Sequence, residues 1–291
     1  MAPPSSSPDG ALLERLEERA MFVRLETVRL SKIAGAGHYT SSFSAAELFA
    51  SLYYGGGLRI DPTRPDWVDR DRFVLSKGHA AIGLYPILGD LGYFDPAELD
   101  KFTRLGSAFG DHPNMNHIPG IDFSSGSLGH GLSISLGMAL AGRISGKEYR
   151  CWTMLGDGEL QEGQIWEAAM ASAHFKLGAM IAIVDRNQLS IDGFTEDVLR
   201  VEPIEDKFKS FGWNTVRFDG HDFPAILRAF AELPAADSDT PTVLIADTVK
   251  GRGVRRMEFN TAWHVGGLVG TDYDEVLEEI RAGLQPQEDA R

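Results

Sequence analysis

Arg150-Cys-Trp-Thr-Met-Leu-Gly-Asp-Gly-Glu159, an Ala-rich segment, and Ala179-Met-Ile-Ala-Ile-Val-Asp-Arg-Asn187 form the stretch from which the fold is read. Arg150 to Leu155 reads as a strand, and Gly156-Asp157-Gly158 breaks it. From Glu162 to Lys176, Ile165, Ala169, Met170 and Ala173 recur at helical spacing, which predicts a helix with those four inward. Ala179 to Asp185 is apolar almost throughout, as expected of a strand covered by helices on both faces. Strand, helix and strand in succession predict parallel pairing.

Working outward, Asn214–Phe218 and Thr242–Asp247 read as further strands, with a helix over Phe223–Leu233 between them. Upstream, Leu12, Leu16, Ala20, Val23 and Leu30 give a long amphipathic helix from Leu12 to about Ile33. Ser44-Ala-Ala-Glu47 matches a capping box that would open a helix through Leu52. Asp71 to Ser76 reads as a short strand running into the loop Lys77-Gly78-His79. The small and apolar run Gly129–Gly142 predicts a buried, tightly packed helix. The fold class is therefore α/β, a mostly parallel sheet flanked by helices. Ligands of such sheets bind at the carboxyl ends of the strands, where Asp157, Asn187 and Asp219-Gly-His221 fall.

The chain has 291 residues, with 28 Lys+Arg against 42 Asp+Glu, a formal charge of −14. An acidic balance argues against nucleic acid or an anionic membrane as partner. No apolar run approaches the roughly 20 residues that span a bilayer. The start, Met1-Ala-Pro-Pro-Ser-Ser-Ser-Pro8, lacks the basic and apolar regions of a signal peptide. A single cysteine, Cys151, excludes an internal disulfide or a cysteine metal cage and fits a reducing cytoplasm. Residues 1–10 read as a disordered lead-in, 11–284 as one domain and 285–291 as a tail. The 32 glycines exceed the usual share of about 7%, and such an excess marks loops that approach a ligand closely.

The chemistry lies in Gly156-Asp157-Gly158-Glu159 and Asn187, with 28 residues between Gly158 and Asn187. A hard cation such as Mg²⁺ takes oxygen ligands, few from protein and several from phosphate and water. Asp157 offers a carboxylate, Asn187 an amide oxygen, and the backbone near Leu189 a carbonyl. The glycines allow backbone N–H groups to close on phosphate oxygens at the start of the next helix. A bare Gly-Asp-Gly is a weak signal; one that ends a strand, opens a helix and precedes a second strand ending in Asp-Arg-Asn is much stronger.

At these residues the sequence resembles the thiamine-diphosphate enzymes, and most of all the N-terminal, diphosphate-binding half of the transketolase family. The resemblance runs from about Leu12 to Gly270. It is carried also by Gly37-His38, Asp69-Arg-Asp-Arg-Phe-Val-Leu-Ser-Lys-Gly-His79, Asp111-His112-Pro113, Gly126-Ser-Leu128-Gly-His-Gly131, Leu189-Ser-Ile-Asp-Gly193, Asp219-Gly-His221-Asp222 and Trp263-His264. It implies a thiamine-diphosphate-binding fold and transfer of a two-carbon ketol unit from a ketose to an aldose. It further implies Asp157, Asn187 and Leu189 as ligands of Mg²⁺ (or Ca²⁺ or Mn²⁺), and His79, Gly126, Leu128, Gly156, Asp157, Gly158, Glu159, Asn187 and His264 as cofactor contacts. Catalytic roles fall to His38, His79, His112 and His264. His130 departs from the glutamine common in its loop.

His117 and His174 match no such position and read as structural, as does His221. Lys250-Gly-Arg-Gly-Val-Arg-Arg256 reads as a solvated basic loop, although the equivalent family segment closes over the site. Glu162 and Glu167, solvated on the helix pattern alone, match family positions at the subunit interface. The glutamate that activates the cofactor's pyrimidine ring lies, in the family, in a domain this sequence does not show. The resemblance therefore implies the N-terminal subunit of a split transketolase, working with a C-terminal subunit that carries the pyrimidine-binding domain, in an assembly of two copies of each and on sugar or sugar-phosphate substrates. Two rivals stay open: a half-site subunit of another thiamine enzyme, like the α subunit of a 2-oxo-acid dehydrogenase, and a non-catalytic scaffold that keeps the fold.

Overall fold

Strands β1 (Arg72–Leu75), β2 (Cys151–Gly156), β3 (Met180–Arg186), β4 (Asn214–Asp219) and β5 (Thr242–Asp247) form one sheet in the order β1-β2-β3-β5-β4. Every neighbouring pair is parallel. The computed structural model describes residues 9–268, 270 and 272–283. Most of the expected lead-in, residues 1–8, and the tail 285–291 lie outside the described residues. No helix among those described is long and apolar enough to cross a membrane.

Among the described residues, ten α-helices surround the sheet: α1 (Gly10–Ala34), α2 (Tyr39–Ser44), α3 (Ala46–Tyr53), α4 (Ala81–Asp90), α5 (His130–Ile144), α6 (Gly163–His174), α7 (Thr195–Val198), α8 (Ile204–Ser210), α9 (Phe223–Ala231) and α10 (Asp272–Ala282). Strand residues alternate between faces. Trp152, Met154, Ile181 and Ile183 pack with α1, α3, α4 and α9 on one side. Leu155, Ala182, Val184 and Ile245 pack with α5, α6 and α8 on the other. Each fully buried Leu or Ile contributes about 1.5–3 kcal/mol. All five strands therefore end at one edge, and the chemistry-bearing loops leave from it.

The five expected strands are present with ends shifted by one residue or less. Three helical expectations need correction. Ser44-Ala-Ala-Glu47 is not a capping box: Ser44 closes α2, and Ala45 precedes α3 without a side-chain cap. Tertiary partners claim both polar side chains, since Ser44 Oγ donates to Asp185 at 2.7 Å and Glu47 accepts from Arg24 at 2.8 Å. On α6, Met170 faces outward, 57% exposed, and Ala168 and Ser172 take the inner face with Ile165 and Ala169. The pattern of small residues left the phase of that helix ambiguous. Helix α5 is only half covered: Gly131, Leu132, Ser135, Ala139 and Gly142 are buried, and the opposite face is open.

Glu47 joins α1, α3 and the turn after β4. Both of its oxygens lie 2.8 Å from Arg24 Nη2, and His221 Nδ1 is 3.0 Å from Oε2. Burial pushes the carboxyl up, but Arg24 and His221 outweigh it and hold it at about 2. A carboxyl depressed from 4.5 to about 2 stabilises the fold by about 3 kcal/mol above pH 4.5, and that stability is lost as pH falls through 2. Glu47→Gln should therefore weaken the fold by roughly that amount at pH 7 in urea unfolding. The gap between variant and wild type should close as pH falls from 4.5 towards 2; a gap independent of pH would contradict the assignment.

Candidate active site

Loops from the ends of β1, β2, β3 and β5 meet around a cleft of about 360 Å³. Every site residue named from the sequence lines it: His38, His79, His112, Gly126, Leu128, Gly156, Asp157, Gly158, Glu159, Asn187, Leu189 and His264. The sheet explains why. In-register pairing of Gly156 with Asp185 brings the loop after β2 beside the loop after β3. Two glycines allow the neighbouring loops to close in. A Cβ on Gly131 would fall 2.4 Å from Ser76, and one on Gly78 would fall 2.7 Å from Ser125. His38 is the hub of the histidines, its ring centre 5.4 Å from His79, 5.6 Å from His264 and 6.3 Å from His112. His38 Nδ1 also lies 3.1 Å from Asp111 Oδ2, without the alignment of a hydrogen bond. His117, His130 and His174 are exposed and stand outside the cleft, and His221 lies behind it.

Behind the cleft, Asp185 is fully buried and accepts from the Lys77 ammonium, the Thr248 hydroxyl, Ser44 Oγ and Asn187 Nδ2, the last at 3.1 Å. Burial alone would raise this carboxyl; Lys77 and the hydroxyl donors hold it below its usual range. By taking the Asn187 NH₂, Asp185 fixes which way that amide faces, and Asn187 Oδ1 accepts the Leu189 N–H at 3.2 Å. Asp157 accepts from the N–H groups of Gly158 and Gln188, at 2.9 and 2.8 Å, and from Thr195 Oγ1 at 3.1 Å. Burial and then the Asp185 charge push its carboxyl up to about 6, against those N–H donors. A carboxylate so costly to ionise gains from a cation beside it.

Glu159 lines the cleft, but its carboxylate accepts from the Ser76 hydroxyl and the N–H groups of Gly129 and Gly156, tying three loops together. The Leu189 carbonyl accepts from Lys250 Nζ at 3.1 Å, so a cation using that oxygen shares it with the ammonium or displaces it. Among the described residues no group of three His, Cys, Asp or Glu side chains is placed to hold a metal. Asp157 with the Asn187 amide oxygen is instead a sparse oxygen set, which suits a hard cation completed by phosphate and water.

Two lysines belong to the site that sequence reasoning did not place there. Lys77 has no role assigned within its segment, and Lys250 reads as part of a solvated basic loop, although the equivalent family segment closes over the site. Both are buried, at 1% and 4% exposure. Lys250 Nζ sits 2.8 Å from His264 Nδ1. Burial, then the Lys77 charge, lowers Lys250 to about 8. Burial and Lys250 lower His264 to about 3, and burial and Lys77 hold His79 well below its usual range. Both imidazoles are thus neutral at pH 7 and able to accept a hydrogen bond. Two buried ammonium groups beside glycine loops and an unfavourably buried carboxylate fit a diphosphate held with a divalent cation. The polar signal for Lys250 in the sequence, one lysine inside a basic run, carries no information on burial.

The family profile "Transketolase, thiamine diphosphate binding domain" matches residues 17–290. The chain is 36% identical to one subunit of the apulose-4-phosphate transketolase of Phocaeicola vulgatus, over 95% of this chain and 97% of that protein. It is 39% identical to 6-deoxy-6-sulfo-D-fructose transketolase subunit SqwG of a Clostridium species, over 86% of this chain and 90% of that protein. Mouse transketolase is 36% identical over 97% of this chain, which spans 46% of its length. Among solved structures, transketolase from Leishmania mexicana superposes with a TM-score of 0.83 at 28% identity, covering 92% of this chain and 41% of that one. That from Campylobacter jejuni gives 0.83 at 28% identity, covering 96% and 44%. The chain spans less than half of these full-length transketolases. On the profile and on these relatives, the chain belongs to the transketolase family, as its thiamine-diphosphate-binding N-terminal domain.

Proposed function

We propose that this chain is the diphosphate-binding subunit of a two-subunit transketolase, which transfers a two-carbon ketol unit from a ketose donor to an aldose acceptor. The observation that carries the reading is one cleft uniting Asp157 and Asn187, two buried lysines and four histidines. Support comes also from the two relatives named as transketolase subunits, which the chain matches over nearly their whole lengths. Asp157, Asn187 and the Leu189 carbonyl would hold Mg²⁺, or Ca²⁺ or Mn²⁺ in its place. Lys77, Lys250, His79 and the Gly158 backbone would hold the diphosphate. Thiamine diphosphate, when bound, supplies the nucleophilic carbon that carries the two-carbon unit. His38, His112 and His264 would hydrogen-bond the donor's hydroxyl and carbonyl oxygens and move protons there.

A partner subunit would cover the apolar side chains at the cleft, where Ile191 is 63% and Val198 44% exposed. The open face of α5, and exposed Glu162 and Glu167, suit a second interface in an assembly of two copies of each subunit. The acidic charge and single buried cysteine suit a cytoplasmic protein. In the assembled enzyme, His112→Ala and His264→Ala should lower kcat by about 10²–10⁴-fold, the usual worth of general acid–base groups. Thiamine diphosphate affinity should change far less, because the lost bonds are to donor oxygens whose charge changes during reaction. Steady-state kinetics with a ketose donor and a cofactor titration decide this together; wild-type turnover in both variants would return the two residues to a structural role.

A further inference from the structure

His221 stands behind the cleft, on the opposite side of the loop that carries Lys250. The Val249 N–H donates to His221 Nε2 at 2.9 Å, so that nitrogen carries no proton. The ring proton is then on Nδ1, which donates to Glu47 Oε2 at 3.0 Å. Glu47 is held in turn by Arg24, whose Nε donates to the Arg252 carbonyl at 3.0 Å and whose Nη2 donates to the Phe43 carbonyl at 2.9 Å. The three side chains are about nine-tenths buried. Residues 248–253 are thus gripped from behind at two backbone points, Val249 N–H and Arg252 C=O. Lys250 lies between them and reaches forward to the Leu189 carbonyl and His264. Gly251 completes the turn at φ 85°, where a Cβ would fall 2.4 Å from the Met257 carbonyl oxygen.

A lysine side chain is long and flexible, and ordering it costs rotamer freedom. Its ammonium is placed in a cleft only if the backbone beneath it is fixed. We infer that His221 is a positioning residue of this site: with its Nδ1 held by Glu47, itself held by Arg24, it accepts the Val249 N–H at Nε2 and fixes the loop from which Lys250 meets a phosphate group of the cofactor. The last clause rests on the reading of the cleft as a diphosphate site. The Glu47–Arg24 pair makes the grip specific, because it supplies the acceptor that keeps the proton on Nδ1 and leaves Nε2 free.

The test uses the full chain with His221→Ala and His221→Gln. Gln keeps an acceptor oxygen for Val249 and an N–H for Glu47; Ala keeps neither. In His221→Ala, amide hydrogen exchange over residues 247–253 should quicken about tenfold or more, as expected for a lost buried hydrogen bond. Exchange in β2 and β3 should stay as in wild type. The affinity for thiamine diphosphate with Mg²⁺, from calorimetric titration, should weaken about tenfold, and Gln should recover most of both effects. Wild-type exchange and affinity in the Ala variant would overturn the inference. So would quickened exchange spread evenly over the sheet with no recovery by Gln, which would make His221 a packing residue. If the wild-type chain, alone and with its partner, bound no thiamine diphosphate, the diphosphate reading and the Lys250 role would fall together. The exchange experiment would still show whether His221 holds the loop.

Discussion

Asp157→Ala is expected to abolish Mg²⁺-dependent binding of thiamine diphosphate, with a loss of at least about 10³-fold, or roughly 4 kcal/mol. Asp157 supplies the carboxylate of a sparse oxygen set, and Asp185 cannot replace it. All the donors around Asp185 point at it: Lys77, Thr248, Ser44 and Asn187. Without the cation, the diphosphate charge would lie near the fully buried Asp185 with only the Lys77 and Lys250 ammonium groups to offset it. The fold should survive. The Asp157 carboxyl is already pushed up to about 6 by burial, so its ionised form is a burden on the cofactor-free chain. Its hydrogen-bond partners Gly158, Gln188 and Thr195 all lie in the loops of the site or at the start of the short α7. Calorimetric titration with Mg²⁺ and with EDTA, beside a thermal scan of each protein, separates the two effects. Unchanged affinity in the variant would remove Asp157 from the metal site.

The sheet was legible because buried parallel strands such as Met180–Arg186 leave a continuous apolar run, and because Gly156-Asp157-Gly158 punctuates one of them. The site was legible because most of its residues sit in short glycine-containing segments, several of which leave the ends of neighbouring parallel strands. What stayed hidden depends on contacts far apart in sequence. Lys250 reads as one cation in a basic run, and only the approach of Leu189 and His264 makes it a buried site residue. Ser44 and Glu47 have the spacing of a capping box, but Asp185 and Arg24 offer stronger charge-assisted partners. Helix α4 escaped notice because Gly83, Pro86 and Gly89 interrupt a segment that is apolar on all sides. His221 matches the family's Asp-Gly-His segment, yet its hydrogen bonds to Val249 and Glu47 exist only in the folded chain.

On the proposed function this chain holds the diphosphate half of a shared site. Its acidic groups support that division. Among the described residues lining the cleft, Glu159 is committed to three loops and Asp157 is placed for the cation. Glu162 and Asp192 are exposed, so neither is a carboxylic acid in a dry pocket of the kind that activates an aminopyrimidine. On the proposed function the acid comes from a partner subunit, and the exposed Ile191 and Val198 beside the cleft are an apolar surface for that partner to cover. The direct measurement is ketol transfer from a ketose donor to an aldose, with Mg²⁺ and thiamine diphosphate, assayed for the purified chain, for a candidate partner carrying the pyrimidine-binding domain, and for the two mixed. Neither protein alone should turn over, and turnover should rise at least about 10³-fold on mixing, to the range of typical enzymes. Full turnover from this chain alone would contradict that division, because the activating acid would then be within these 291 residues.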